Sequence, residues 1–213
     1  MNLLVDAIYI LSHLPLIIMI IGIILSTINL KHFTKKEYPL YTLLILSLLN
    51  DIAGRILGEI YKNNLITIPI YGIFLLLCMF FFFYYSGMKY KVVNYLILGI
   101  LLIFNIYELF TINFSEFKEF QSYSNSIHSV YFLILTIFQL IYNLDNPKFN
   151  SKLNYFLMAF FALNALISLP LNLLVNYKFT SIYIMWFANV VLFTIFYSYI
   201  SMYLWNLGKT QKR

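Results

Sequence analysis

Seven long apolar segments, separated by short polar breaks, constrain this chain more than anything else in it. They run roughly over residues 7–30, 39–61, 65–88, 92–112, 123–144, 152–177 and 180–207. A helix that crosses a bilayer needs about 20 mostly apolar residues, and each segment reaches that length. The breaks have the right chemistry. His32–Glu37 is polar, with Pro39 suited to the first turn of the next helix. Lys62-Asn63-Asn64, the Lys89/Lys91 pair, the Asn113–Gln121 stretch and Asn176-Tyr177-Lys178 separate later segments, and Asp145-Asn146-Pro147 stops a helix because proline cannot continue one. Breaks this short make neighbouring helices antiparallel. The expected fold is therefore an all-α membrane protein, a single seven-transmembrane-helix bundle spanning residues 1–213.

Composition agrees and excludes other classes. The chain is 62% hydrophobic and 10% charged, against about 45–50% and about 25% in a soluble domain. A soluble core of this size cannot absorb that excess, since polar groups must still cover its surface. The one cysteine, Cys78, lies deep in the third segment, so no intramolecular disulfide framework is possible. No cleavable signal is expected: Met1–Asp6 carries no positive charge, and the apolar run that follows is too long for a signal core.

The basic residues predict an orientation. Lys31, Lys35, Lys36, Lys89, Lys91, Lys148, Lys152, Lys209, Lys212 and Arg213 fall on one side of the seven spans, and only Lys62, Lys118 and Lys178 on the other. Lys and Arg favour cytoplasmic loops, which places the N-terminus outside and the C-terminus in the cytoplasm of a multi-pass inner-membrane protein. The formal net charge of +6 is then a collar facing anionic lipid. The expected partner is the bilayer, with no nucleic acid, for which there is no basic domain.

A few polar residues within the spans are the candidates for function. Asp51, Arg55 and Glu59 lie at i, i+4 and i+8 on the second span, hence on one face, so Arg55 can pair with either carboxylate. A charge at the bilayer centre costs about 2.5–3.5 kcal/mol on insertion scales, so such a row must pair and face the bundle interior. Gly54 and Gly58 form a small-xxx-small pair beside it, and Asn50 adds a polar group at similar depth. In the predicted orientation most other intramembrane polar residues fall in the outer half: Ser12, His13, Asn105, Glu108, Asn125, His128, Ser168, Asn172 and Asn189, with Asn164 near mid-depth. The inner half has Gln139. This asymmetry predicts an outward-opening polar cavity formed by Asp51, Arg55, Glu59, Glu108, His128, His13, Asn50, Asn164 and Asn189. Pro15 and Pro170 interrupt spans and free backbone carbonyls. The run Phe80–Tyr85, with Tyr199, Tyr203 and Trp205, reads as lipid contact and an inner aromatic belt.

Several chemistries are excluded. No phosphate-binding glycine loop, Cys-x-x-Cys or Gly-x-Ser-x-Gly elbow occurs. No span carries a His/Glu pair at helical spacing, so neither metal nor cofactor is expected. The last span has no lysine for a retinal Schiff base. Asp51-x-x-x-Arg55 is an incomplete form of the motif of membrane CAAX-type proteases, with Asn50 replacing its first acid and no His-x-x-x-Asn after His128. Asn113-Phe114-Ser115 matches a glycosylation sequon.

The basic Lys31–Lys36 turn, the acid-bearing second span, the Phe83-Tyr84-Tyr85 end of the third, the Gln121–Ile127 entry to the fifth and the closing Tyr203-Leu204-Trp205 carry a resemblance. Over nearly its full length the chain resembles a class of seven-span membrane proteins common in Bacteroidota. That resemblance implies association with two-component signalling, and so a receptor-like or accessory subunit beside a histidine kinase or other membrane partner. With so short a cytoplasmic tail, a signal would pass laterally or through the inner loops. A weaker likeness is to the lysoplasmalogenase-like membrane family, which implies an intramembrane lipid hydrolase using Asp51 with Glu59, Glu108 or His128. Only Asp51 matches an acid there. A structural subunit of a membrane complex is the third reading, and a non-enzymatic role is the one we expect.

Overall fold

The computed structural model describes residues 10–61, 64, 66–111, 123–143, 151–177 and 182–210. Among them are seven α-helices and no strand: α1 (Leu14–Ile28), α2 (Glu37–Tyr61), α3 (Thr67–Tyr85), α4 (Lys91–Thr111), α5 (Ser124–Asn143), α6 (Ser151–Tyr177) and α7 (Ile182–Thr210), with one 3-10 turn at Leu30–His32. Six of these are long and apolar enough to cross a membrane, and α1 is a shorter apolar helix. The sequon, the 113–121 stretch, Lys62, Asp145-Asn146-Pro147, Lys178 and the residues after 210 lie outside the described residues.

The first segment departs from its expected 7–30 extent. Pro15 stands in the first turn of α1, and Ser12–His13 form a turn before it. Proline has no N–H to give the carbonyl four residues back, and its ring clashes with that carbonyl, so the helix opens there. Pro170, in contrast, lies inside an unbroken α6. Pro39 and Pro69 sit buried in the first turns of α2 and α3, where a missing N–H costs nothing. The start of α2 is a capping box: Thr34 donates its backbone N–H (2.8 Å) and its hydroxyl to Glu37 Oε2, and the Glu37 N–H returns to the Thr34 carbonyl. Glu37 is buried and also accepts from Tyr203 Oη on α7 at 3.0 Å, with Lys36 Nζ 3.6 Å away. That carboxylate joins the start of α2 to the end of α7. Thr34-Lys35-Lys36-Glu37 was a readable signal for it.

The helices close into a ring in the order α1, α2, α3, α5, α6, α7, with α4 packed outside in the angle between α3 and α5. Polar packing closes the α1–α7 seam. Gly22 and Ser26 are buried one turn apart, and a Cβ added at Gly22 would collide with Ser201 Oγ. Only glycine lets the two backbones come so close. Asn29 Nδ2 adds a bond to the Trp205 carbonyl at 3.0 Å.

The arrangement of α4 shows which solvent the bundle is built for. Its outward positions Val92, Val93, Leu96, Ile100, Ile103, Tyr107 and Phe110 are all apolar or aromatic and exposed, Phe110 by 84%. Its inward row Asn94, Leu98, Leu101, Asn105 and Glu108 is buried, Asn105 completely. In water this stripe would forgo roughly 1.5–3 kcal/mol for each large side chain. For α4 alone the loss is about 10 kcal/mol, comparable with a whole domain's stability of about 5–15 kcal/mol. In lipid the same pattern costs nothing. The chain is a multi-pass integral membrane protein.

Position within the ring also corrects the reading of Phe80–Tyr85 as lipid contact. Because α3 touches α2, α4 and α5, Phe80, Phe82 and Phe83 are buried and only Phe81 and Tyr85 face outward. Phe83 stacks on Phe132 of α5 (centroids 5.8 Å), and Phe132 meets Phe161 of α6 at 5.1 Å. Tyr199 stacks on Phe156 of α6, with centroids 3.8 Å apart.

The α3–α4 turn holds both left-handed residues, Gly87 (φ 92°) and Tyr90 (φ 52°). A Cβ at Gly87 would meet nothing within 4 Å, so Gly87→Ala tests backbone conformation alone. It should destabilise by about 1–2 kcal/mol. Gly99→Ala, an equally open position inside α4, should be neutral or stabilise by up to about 1 kcal/mol. Reversible unfolding in mixed micelles distinguishes the two.

Candidate functional site

The polar residues of the spans gather on two sides of α3. On the α2 side, Arg55 Nε donates to Asp51 Oδ2 at 2.9 Å, and Arg55 Nη2 donates to the Ser12 carbonyl at 2.7 Å. The turn that Pro15 opens at the head of α1 thus presents a carbonyl, and Arg55 takes it. The i, i+4 spacing makes the ion pair local to α2, while the carbonyl bond ties α2 to α1. Both side chains keep about a third of their surface exposed (30% and 34%), so the pair is a half-buried one of modest strength. Glu59 does not enter this network. It lies further along α2 and is exposed, and Arg55 is engaged by Asp51. Asn50, beside Asp51, is half-buried, and His13 stands in the turn before α1. Gly54 is buried against Thr67 at the start of α3. A Cβ added at Gly54 would lie 3.4 Å from the Thr67 hydroxyl, so its smallness serves the α2–α3 corner. Tyr197 of α7 donates to Tyr71 Oη on α3 at 3.1 Å.

On the other side of α3, between α4 and α5, lies a second cluster. Asn105 Nδ2 and His128 Nε2 are 2.8 Å apart, and both residues are completely buried. Gly72 of α3 faces them. A Cβ there would lie 2.9 Å from Asn125 Oδ1, 3.2 Å from Asn105 Oδ1 and 3.6 Å from His128 Cε1. Three buried atoms of this cluster have no hydrogen-bond partner among the described residues: Asn105 Oδ1, Asn125 Oδ1 and His128 Nδ1. When Asn105 Nδ2 is the donor to Nε2, the imidazole carries its proton on Nδ1. The cluster then offers two amide oxygens as acceptors and one ring N–H as donor. A buried polar group without a partner costs about 1–3 kcal/mol, so three such atoms side by side make this cluster the most polar unmatched spot between α3, α4 and α5.

Glu108 belongs to a neighbouring task. It is buried, and its Oε1 accepts the backbone N–H groups of Tyr123 and Ser124, the latter at 3.0 Å. It caps the N-terminus of α5, where those N–H groups have no intrahelical partner and the helix dipole favours an anion. That cap holds the first turn of α5, and with it Asn125 and His128, against α4. Asn164 Nδ2 donates to Ser129 Oγ at 2.7 Å, and Ser126 Oγ to Ser168 Oγ at 2.8 Å, so these residues bind α6 to α5. Asn189 Oδ1 on α7 is buried without a partner among the described residues.

The structure therefore brings together Asp51 with Arg55, and separately His128 with Asn105 and Asn125. Glu59, Glu108 and Asn164 each stand elsewhere. Gly72 escaped the sequence reading, because nothing local distinguishes a glycine that leaves room for a neighbour's side chain. Among the described residues no group of three or more His, Cys, Asp or Glu side chains could hold a metal ion.

The ion pair yields a clear double-mutant expectation. Arg55→Ala strips Asp51 of its cation and Ser12 of this donor, and should destabilise by about 1–2 kcal/mol. Asp51→Ala with Arg55→Ala should cost less than the two single changes added, by about 0.5–1 kcal/mol, because the stranded carboxylate is gone. Thermal unfolding of the four proteins in one detergent measures the difference. Comparison of the chain with family models, with curated proteins and with solved structures finds no match.

Proposed function

We propose that this protein is a receptor-like or accessory signalling subunit of the inner membrane that binds a small polar ligand between α3, α4 and α5. The observation that carries the reading is the convergence of Asn105 Oδ1, Asn125 Oδ1 and His128 beside Gly72, in a buried site whose acceptors have no donor among the described residues. The ligand class follows from those atoms: a small, uncharged or singly cationic molecule that presents hydrogen-bond donors to two amide oxygens. The site lies one to two turns from the ends of three helices, so occupancy bears on how α4 and α5 sit against α3. A lateral membrane partner would sense that change, and the resemblance to seven-span proteins linked to two-component systems supports a histidine kinase as its class. The hydrolase reading has less to support it. Asp51 is held by Arg55, Glu108 caps a helix, and the two occupy different sides of α3.

Ligand binding is tested by thermal unfolding in nanodiscs against a panel of small amines, amides and polyols. At about 100 times its dissociation constant a ligand stabilises by about 2.7 kcal/mol, which raises the Tm of a chain this size by roughly 5–10 °C. Gly72→Ala should remove the shift, since its methyl group would occupy the space in front of Asn125. The reading fails if no compound shifts the wild type, or if the shift survives in Gly72→Ala.

The asymmetry of basic residues supports the orientation we assign, N-terminus outside and C-terminus cytoplasmic. Lys35 is exposed in the α1–α2 connection. In a Cys78→Ala background, Lys35→Cys should resist a membrane-impermeant maleimide on intact cells and react after lysis. Labelling of intact cells would reverse the topology.

A further inference from the structure

A cavity lies at the other end of the bundle from the Gly72 cluster, where α3 ends, α4 begins and α5 ends. It has a volume of about 280 Å³. Its walls are mostly apolar, from Phe83, Val93, Ile97, Ile134, Leu135 and Phe138. Val93 and Phe138 are also exposed on the lipid-facing surface, as are Tyr90 and Tyr142 at the rim. A chamber with such walls does not hold water well, and the medium it opens toward is hydrocarbon.

The rim is basic. Its charge is Lys89, which lines the cavity and sits 3.8 Å from the centroid of the Tyr142 ring; Lys91, two residues on, lies outside the lining, 4.6 Å from the centroid of Tyr84. Among the described residues neither lysine has a carboxylate within ion-pairing distance, and no acidic residue lines the cavity. The first turn of α4 starts at Lys91 and adds its N-terminal N–H groups to the positive field. The rim is also held in place. Asn94 Nδ2 donates to the carbonyls of Lys89 (2.9 Å) and Tyr90 (3.1 Å), and Tyr131 Oη donates to Asn94 Oδ1 at 3.0 Å. Deeper in, Gln139 is buried; its Nε2 reaches the Phe83 carbonyl while its Oε1 has no donor among the described residues.

We propose that this cavity binds a one-chain anionic glycerophospholipid. The acyl chain fills the apolar chamber, whose volume lies at the lower limit for ligand pockets, about 300 Å³, and suits one chain better than two. The free glycerol hydroxyl donates to Gln139 Oε1. The phosphate rests at Lys89 and the first turn of α4, as anionic headgroups do in basic pockets between membrane helices. This site shares no residue with the α3–α4–α5 cluster around Gly72, and the two proposals stand or fall separately.

Native mass spectrometry of the full chain, released from phosphatidylcholine nanodiscs and titrated with lysophosphatidylglycerol, lysophosphatidylcholine or phosphatidylglycerol, tests it. Lysophosphatidylglycerol should bind at least tenfold more tightly than either of the others. Lys89→Ala, at an exposed position, should weaken it about tenfold. Gln139→Leu should weaken it several-fold and abolish the preference over the two-chain lipid. Ile97→Phe, which narrows the chamber without altering charge, should abolish binding. Equal binding of lysophosphatidylcholine would overturn the role of the basic rim, and equal binding of phosphatidylglycerol the one-chain occupant. Tight binding that survives Ile97→Phe would overturn the cavity itself.

Discussion

A bilayer offers no water to a polar group, and the rest of the structure depends on that constraint. Amides, carboxylates and hydroxyls within the spans are driven inward, toward a partner on another element or toward a carbonyl of their own helix, as Thr136 is toward Phe132. On α4 the consequence is complete inversion, with Asn94, Asn105 and Glu108 inward and a continuous apolar stripe outward. On α5 it is a row of polar residues that bonds to α6 through Ser129 and Ser126 and receives the Glu108 carboxylate at its first turn. These bonds do what an apolar core does in water, because hydrocarbon gives apolar side chains no reason to prefer one another over lipid.

Against that background the places where the accounting does not close are informative. Asn105, Asn125 and His128 present polar atoms to one another and to the bare backbone of Gly72, yet three of those atoms are unmatched among the described residues. Gln139 does the same beside a cavity at the opposite end. By comparison, three charged residues that join helices are well satisfied. Arg55 has a carboxylate and a carbonyl, Glu108 has two backbone N–H groups, and Glu37 has a capping box and a tyrosine. These charges hold the helices together, while the unmatched atoms are those of neutral amides, hydroxyls and an imidazole.

α3 separates these features. It sits between α2, α4 and α5 and carries Tyr71 toward α7 and Gly72 toward α4 and α5. Two consecutive residues thus face different clusters, as the 100° step of an α-helix requires. This central place also explains why its aromatic run is core and not belt. Phe83, Phe132 and Phe161 link α3, α5 and α6 in one stacked series.

The sequence by itself determined the helices, since length and hydropathy decide what can lie in a membrane without help from the rest of the chain. It also placed Asp51, Arg55 and Glu59 on one face, because residues four apart on a helix are neighbours wherever the helix goes, but the choice of Asp51 over Glu59 came with the fold. Only the tertiary structure decided which face of each helix meets protein and which meets lipid, because in hydrocarbon an apolar residue is equally at home in either. That is why Phe80–Tyr85 reads as lipid contact in the sequence, and why only the fold sets Asp51 with Arg55 on one side of α3 and His128 with Asn105 on the other. It is also why Gly22 and Gly72 were silent: what a glycine makes room for lies on another helix.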